Sequence, residues 1–294
     1  MNSKISLLKN FLVSFRINNW IKNLLVFSAL LFSKNLFNPS LFLNTLYVFI
    51  MFCFLSSSIY LLNDVIDIKN DRQHPLKKDR PITSGLISIK LAFITGICLI
   101  AVILPSAFLL NKDLGYLVIA YISINILYSF FVKKIVILDV FFLSIGFIIR
   151  VFAGGVVIGI LPSYWLMLCI FFLSLYLGFA KRNYELKKTQ GHKSIYKDRK
   201  FLNLALYLFS VISIIIYVIY TISTRTLEVY GNFRLAFTIP FVVFGIIRYL
   251  YLNLSEERVV DPISILLRDK ISGINLFLWF ALVIYLVYFF KTPA

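Results

Sequence analysis

The sequence is short of the residues that punctuate soluble folds. Its 294 residues include 12 Gly, 8 Pro, 3 Cys and 2 His, and only 13 acids. So little Gly and Pro excludes a collagen-like or low-complexity chain. Cys53, Cys98 and Cys169 each lie inside an apolar run with no CxxC pair. They read as buried free thiols acting as small hydrophobes, not as a disulfide framework. His74 and His192 are too far apart in sequence to suggest a His-rich metal site. The first residues carry scattered cations but no small-residue cleavage pattern, so they read as a retained start and not a signal peptide.

What the sequence has in excess is apolar surface and positive charge. Hydrophobic residues make up 60% of the chain, and 30 Lys+Arg give a formal net charge of +17. The mean hydropathy is +0.89. This composition excludes a water-soluble enzyme and points to an integral membrane protein with cationic loops. Nucleic-acid binding is the other common use of such charge. Here the cations lie between apolar runs and form no separate basic domain, so no nucleic-acid partner is expected.

A crossing helix needs about 20 mainly apolar residues. Nine stretches qualify, near 17–33, 41–62, 89–110, 115–132, 136–160, 163–180, 202–222, 235–252 and 272–290; the first is the shortest and most polar. They lack the alternation of barrel strands. With the N-terminus inside, twenty-three cations fall in inside segments and five outside (Lys34, Lys112, Arg225, Arg234 and Lys291). This positive-inside asymmetry predicts an all-α membrane protein of nine transmembrane helices in one bundle, with N-terminus cytoplasmic and C-terminus outside. The expected organisation is a single domain over 1–294. Only Asp113 and Glu228 among the acids lie outside, so the chemistry is expected at the cytoplasmic face.

The most informative stretch is Asn63-Asp64-Val65-Ile66-Asp67-Ile68-Lys69-Asn70-Asp71-Arg72. Asp64, Asp67 and Asp71 fall at i, i+3 and i+7 and share one helix face. Carboxylates crowded together call for a cation, and hard oxygen ligands suit Mg²⁺, which completes its shell with waters and substrate phosphates. The expected site is a magnesium-bound diphosphate at the cytoplasmic mouth of the bundle. Pro75 and Pro81 end the helix, so the following loop is expected to fold back and offer Lys77 and Arg80 to phosphate oxygens.

Asn63-Asp64-x-x-Asp67-x-x-x-Asp71 resembles the first aspartate-rich motif of the UbiA-type intramembrane prenyltransferase superfamily. More narrowly, the chain resembles the decaprenyl-phosphate phosphoribosyltransferase branch. The resemblance runs through Trp20-Ile21-Lys22-Asn23, Asp71-Arg72-x-His74-Pro75, Arg80-Pro81-Ile82 and Tyr128-Ser129 with Lys133. It continues through Leu138-Asp139-Val140, Gly146 to Arg150, Gly154-Gly155, Lys181-Arg182-x-x-Glu185-Leu186, Arg248-Tyr249 and Leu267-Arg268-Asp269. Two departures from the superfamily stand out. Arg16-Ile17 replaces the frequent Arg-Pro. The second aspartate-rich loop is replaced by Lys181-Arg182-Asn183-Tyr184-Glu185, which suits a further phosphate better than a second metal.

The resemblance implies magnesium-dependent transfer of 5-phosphoribose from 5-phosphoribosyl 1-diphosphate to a polyprenyl phosphate. Diphosphate is released, and the product feeds cell-envelope polysaccharide synthesis at the plasma membrane. Asp64, Asp67 and Asp71 would be catalytic metal ligands. Lys22, Asn63, Arg72, Lys77, Arg80, Tyr128, Lys133, Lys181, Arg182 and Glu185 would bind substrate. Two readings of Glu185 stay open, a second-site metal ligand or an i, i+4 partner of Lys181. Arg150, deep in its span, reads as held by structural partners. Membrane lipids are expected partners, and the sequence is compatible with a homo-oligomer. The alternative is transfer of a prenyl group from prenyl diphosphate to an aromatic or other small acceptor.

Overall fold

The computed structural model describes residues 2–188, 195–255 and 269–290. Among these residues every regular element is helical. The elements in order are α1 (Asn2–Ser14), a 3-10 segment (Ile17–Phe27), α2 (Ser28–Phe32), α3 (Pro39–Ile66), α4 (Ile68–Arg72), α5 (Ile89–Leu110), α6 (Lys112–Phe130), a 3-10 turn (Val132–Lys134), α7 (Leu138–Val157) and α8 (Tyr164–Lys188). They continue with α9 (Arg199–Ile222), α10 (Thr224–Tyr230), a 3-10 turn (Phe233–Thr238), α11 (Ile239–Leu254) and α12 (Lys270–Ile284), which ends in a π turn (Tyr285–Phe289).

Most long helices start where a polar side chain satisfies their first free N–H groups. Asn38 caps α3 ahead of Pro39, Ser88 caps α5, Asn111 caps α6, Asp198 caps α9 and Asp269 caps α12. Eight helices among the described residues are long and apolar enough to cross a membrane: α3, α5, α6, α7, α8, α9, Phe233–Leu254 and Lys270–Phe289. Their outer faces carry bare apolar side chains, such as Leu109 at 88% and Phe277 at 72% exposed, as a lipid environment requires.

Nine full helices were expected; the first candidate, 17–33, is instead a shorter apolar helical segment, Ile17–Phe32. Asn18, Asn19 and Asn23 interrupt it, and most of its length winds as a 3-10 helix. It packs between α3 and α7. Gly154 of α7 makes that approach possible, because a Cβ there would lie 1.8 Å from the Val26 carbonyl oxygen. Cys98 also differs from expectation. It is exposed on α5, since that helix turns much of its surface outward, whereas Cys53 is buried.

Consecutive helices pack side by side, and α3 also meets α7. One apolar core joins α3, α5, α6 and α7 around Phe52, Leu55, Val118 and Ala153. A second joins α8, α9 and α11 around Tyr176, Phe179, Leu206 and Tyr249. Arg150 lies between the 3-10 segment and the first core. Its Nε donates to Asn23 Oδ1 at 2.6 Å, Nη1 to the Gly146 carbonyl at 2.6 Å and Nη2 to Tyr121 Oη at 2.7 Å. A buried charge is tolerated when its donors are satisfied in this way. The structural reading of Arg150 therefore holds.

Candidate active site

The carboxylates begin inside α3, not beyond it. The helix runs to Ile66, Asp67 is its C-cap, and α4 follows at once, joined to it by the Asp71 N–H to Asp67 carbonyl bond of 2.8 Å. Asp64 and Asp71 are 3% and 2% exposed, and Asp67 is half-buried. Of the expected i, i+3, i+7 set, Asp64 and Asp71 meet at Arg80, while Asp67 is the more exposed member and pairs elsewhere.

Each carboxylate is matched by a cation from elsewhere in the chain. Arg16 Nη2 donates to Asp64 Oδ1 at 2.5 Å. Arg80 Nη1 bridges two acids, donating to Asp64 Oδ1 at 2.9 Å and to Asp71 Oδ2 at 2.6 Å. Lys77 Nζ lies 3.9 Å from Asp71 Oδ1. Lys133, at the α6–α7 turn, pairs with Asp67. Asn63 Oδ1 lies 2.5 Å from Ser129 Oγ, which joins α3 to α6 beside Lys133. The loop after Pro75 folds back as expected. Burial pushes the Lys77 ammonium below the ordinary lysine range, and Arg80 pushes it the same way. Burial, with Lys77 next, also lowers His74. Arg72 is exposed and takes no part in this cluster.

A second polar cluster sits where α6, α7 and α8 meet. Arg182 Nε donates to Asp139 Oδ2 at 2.7 Å, Nη1 to Glu185 Oε2 at 2.6 Å and Nη2 to Tyr128 Oη at 3.0 Å. Tyr196 closes it by donating to Asp139 Oδ1 at 2.5 Å and accepting from the Ile137 N–H at 2.8 Å. Burial and the Asp139 carboxylate push the Tyr196 phenol well above its ordinary range, which keeps it a donor. Ile137 has φ 73°, an unusual conformation for a β-branched residue, and Tyr196 braces it there.

Of the two readings of Glu185, the pairing one needs amending. Its closer partner is Arg182, with Lys181 at 4.0 Å. Lys181 feels the charges of Glu185 and of Lys22 on the 3-10 segment. Lys77 feels the charges of Asp71 and Asp67 in the first cluster and of Glu185 in the second.

Three contributors were not singled out as site residues from sequence. Arg16 stands at φ 52°, ψ 52° between α1 and the 3-10 segment, with its guanidinium 4.4 Å from the Tyr60 ring centroid. Its departure from Arg-Pro was the available signal. Asp139 is fully buried, and Tyr196 carried no signal at all. Arg248, in the second half of α11, forms a two-point ion pair with Asp269 at 2.8 Å and lies outside both clusters. His192, Arg258, Leu267 and Arg268 lie outside the described residues. An apolar groove between α7 and α8, lined by Ile145, Ile148, Tyr164, Met167, Leu168 and Phe171, includes no residue of either cluster.

The fold is an all-helical membrane bundle in which an aspartate-rich helix end faces basic side chains. The chain belongs to the UbiA prenyltransferase family, whose model matches residues 24–195, and it is accordingly a transferase. It is 29% identical to the decaprenyl-phosphate phosphoribosyltransferase of Mycolicibacterium smegmatis, over 97% of this chain and 94% of that one. It is 27% identical to the protein of that name from Mycobacterium tuberculosis, over 92% and 91%. Among solved structures it resembles a UbiA homologue from Archaeoglobus fulgidus bound to DMAPP and Mg²⁺. The TM-score is 0.70 at 20% identity, covering 95% of this chain and 99% of that one.

Among the described residues no three of His, Cys, Asp and Glu converge into a closed metal cage. The donor chemistry nevertheless fits a hard divalent cation. Two buried carboxylates already reach one nitrogen of Arg80, and Mg²⁺ ordinarily uses only one or two carboxylates together with substrate oxygens.

Proposed function

We propose that the chain transfers 5-phosphoribose from 5-phosphoribosyl 1-diphosphate to a polyprenyl phosphate, releasing diphosphate. The observation that carries this reading is that the second cluster brings Lys181 and Arg182 together with only Asp139 and Glu185, where the superfamily resemblance would call for a second aspartate-rich motif. It fits a donor with an additional phosphate and an acceptor that is itself a phosphate. The relatives' names support a lipid-phosphate acceptor and a phosphoribosyl group as what is moved.

Asp64, Asp67 and Asp71 would hold Mg²⁺, which supplies neutralisation of the charge gathering on the diphosphate as the anomeric C–O bond breaks. Arg80 and Lys77 exchange carboxylate partners for diphosphate oxygens, Arg80 offering the planar fork suited to them. Lys133 and Asn63 fix the near side of the site. Lys181 and Lys22 receive a second phosphate. Arg182, engaged by Asp139, Glu185 and Tyr128, orients those groups and has few N–H donors left for substrate. The ribosyl centre becomes oxocarbenium-like, and the lipid phosphate attacks it. That phosphate is already anionic near neutral pH, so no strong general base is required.

The reading places the site at the cytoplasmic face of the plasma membrane, in a single domain with N-terminus in and C-terminus out. The Ile17–Phe32 segment serves as the ninth crossing. A 3-10 helix rises about 2.0 Å per residue against about 1.5 Å in an α-helix, so eleven 3-10 and five α-helical residues reach about 30 Å, the thickness of the hydrocarbon core.

The test mixes detergent-purified protein with radiolabelled phosphoribosyl diphosphate, a polyprenyl phosphate and Mg²⁺, and follows label into the organic phase. Transfer is expected to vanish with EDTA and to fall at least a hundredfold in folded Asp64→Asn and Asp67→Asn. Wild-type turnover in both variants refutes the metal assignment. If folded protein transfers nothing to any lipid length, the alternative of prenyl transfer to a small acceptor takes its place.

A further inference from the structure

The three carboxylates of α3 and α4 are not waiting as a bare anionic pocket. Four cations, Arg16, Lys77, Arg80 and Lys133, are paired with three acids, Asp64, Asp67 and Asp71. The cluster therefore carries one net positive charge by itself. Arg80 holds the decisive place, because its Nη1 is shared between the two buried carboxylates at 2.9 and 2.6 Å. An ion using both oxygens would displace that nitrogen.

We propose that Arg80 is a resident counter-ion that keeps divalent metal out of the site until a diphosphate arrives. Resting on the metal-site reading above, this makes binding ordered, with the metal entering as its diphosphate complex. The electrostatics favour that order. A bare divalent cation would raise the local charge from +1 to +3 among buried groups, where uncompensated charge is costly. A metal–diphosphate complex brings net negative charge, and it gives Arg80 phosphate oxygens in exchange for the carboxylates it surrenders. Arg16 is the lesser partner. It touches Asp64 alone, and its guanidinium keeps the Tyr60 ring as a second support.

The test reads metal occupancy, not turnover. Mn²⁺ binding to detergent-purified protein is followed by electron paramagnetic resonance, with and without inorganic diphosphate. Wild type is expected to bind Mn²⁺ alone at least tenfold more weakly than with diphosphate. Arg80→Gln is expected to bind Mn²⁺ alone at least tenfold more tightly than wild type, while diphosphate no longer strengthens binding as much. Arg80→Lys, which keeps the charge, should stay near wild type. Arg16→Gln should show a smaller rise, about threefold, and carries the test if Arg80→Gln does not melt cooperatively. Mn²⁺ affinity unchanged in both Gln variants overturns the proposal. If folded wild type binds no Mn²⁺ even with diphosphate, or if Asp64→Asn binds it undiminished, the metal-site reading fails and the proposal with it.

Discussion

Gly154→Ala should dislodge the 3-10 segment from the bundle. A Cβ at Gly154 would lie 1.8 Å from the Val26 carbonyl oxygen and 2.8 Å from its carbon. Ordinary contact begins near 3.4 Å, so the two backbones must part by about 1.6 Å. The obstacle is main chain, which has no rotamer to turn aside. Overpacking typically costs 1–3 kcal/mol, and a backbone clash belongs at the upper end, about 3 kcal/mol. For a chain of this length that corresponds to a fall in melting temperature on the order of 5 °C. Val26 lies three residues beyond Asn23, the acceptor for Arg150, and four beyond Lys22. The shift therefore reaches both the buried arginine and the second cluster. Gly146→Ala in the same helix is the internal control. Its Cβ would meet Arg150 Nη1 at 3.6 Å and Tyr121 Cε2 at 3.7 Å, both ordinary contacts. With no clash to offset it, the better helix propensity of Ala should leave stability unchanged or raise it by up to about 1 kcal/mol. Thermal unfolding in detergent reads both variants, and Trp20 fluorescence, with Trp165 and Trp279 replaced by Phe in every protein compared, reports on the segment itself. A Gly154→Ala protein that melts with wild type, or a Gly146→Ala protein that melts earlier, would refute the reasoning.

Asp139→Asn should be costly, because Arg182 then keeps only Glu185 as a carboxylate partner; removing one member of a buried pair costs about 3–5 kcal/mol. Tyr196→Phe removes one donor to Asp139 and the acceptor for the Ile137 N–H, and should cost about 1–3 kcal/mol. Melting curves that rank Tyr196→Phe as the worse of the two contradict this account. Asp269 caps α12 and pairs with Arg248, which, together with the Ser272 donors, holds its carboxyl well below the usual range. A depressed acid stabilises the fold fully above its unfolded value near 3.8 and loses that contribution as pH falls through the folded value. Asp269→Ala should therefore cost about 1 kcal/mol at neutral pH, and wild type and variant should converge as the medium becomes strongly acidic. A constant gap in melting temperature across that range would count against the assignment.

The sequence by itself determined the membrane class, eight long helices, seven of them within a few residues of their ends, and the aspartate spacing of α3 and α4; α8 runs eight residues past its expected end, because its polar last turns to Lys188 are helical but not apolar. All of these are local. Apolar run length, caps such as Asn38 and Asn111, and the i, i+3, i+7 spacing are written in neighbouring residues. The fold-back of Lys77 and Arg80 was legible for the same reason, since Pro75 and Pro81 lie within one short loop of the acids. Only the tertiary structure decided which charges meet. Arg16 reaches Asp64 across 48 residues, Lys133 reaches Asp67 across 66, and Tyr196 finds Asp139 across 57. No periodicity records such pairings, because they depend on which helix ends the packing of α3, α6, α7 and α8 brings to one place. The 3-10 winding of Ile17–Phe27 was hidden likewise. Its polar residues weakened it as a candidate span, and its course is set by the groove that Gly154 leaves open on α7.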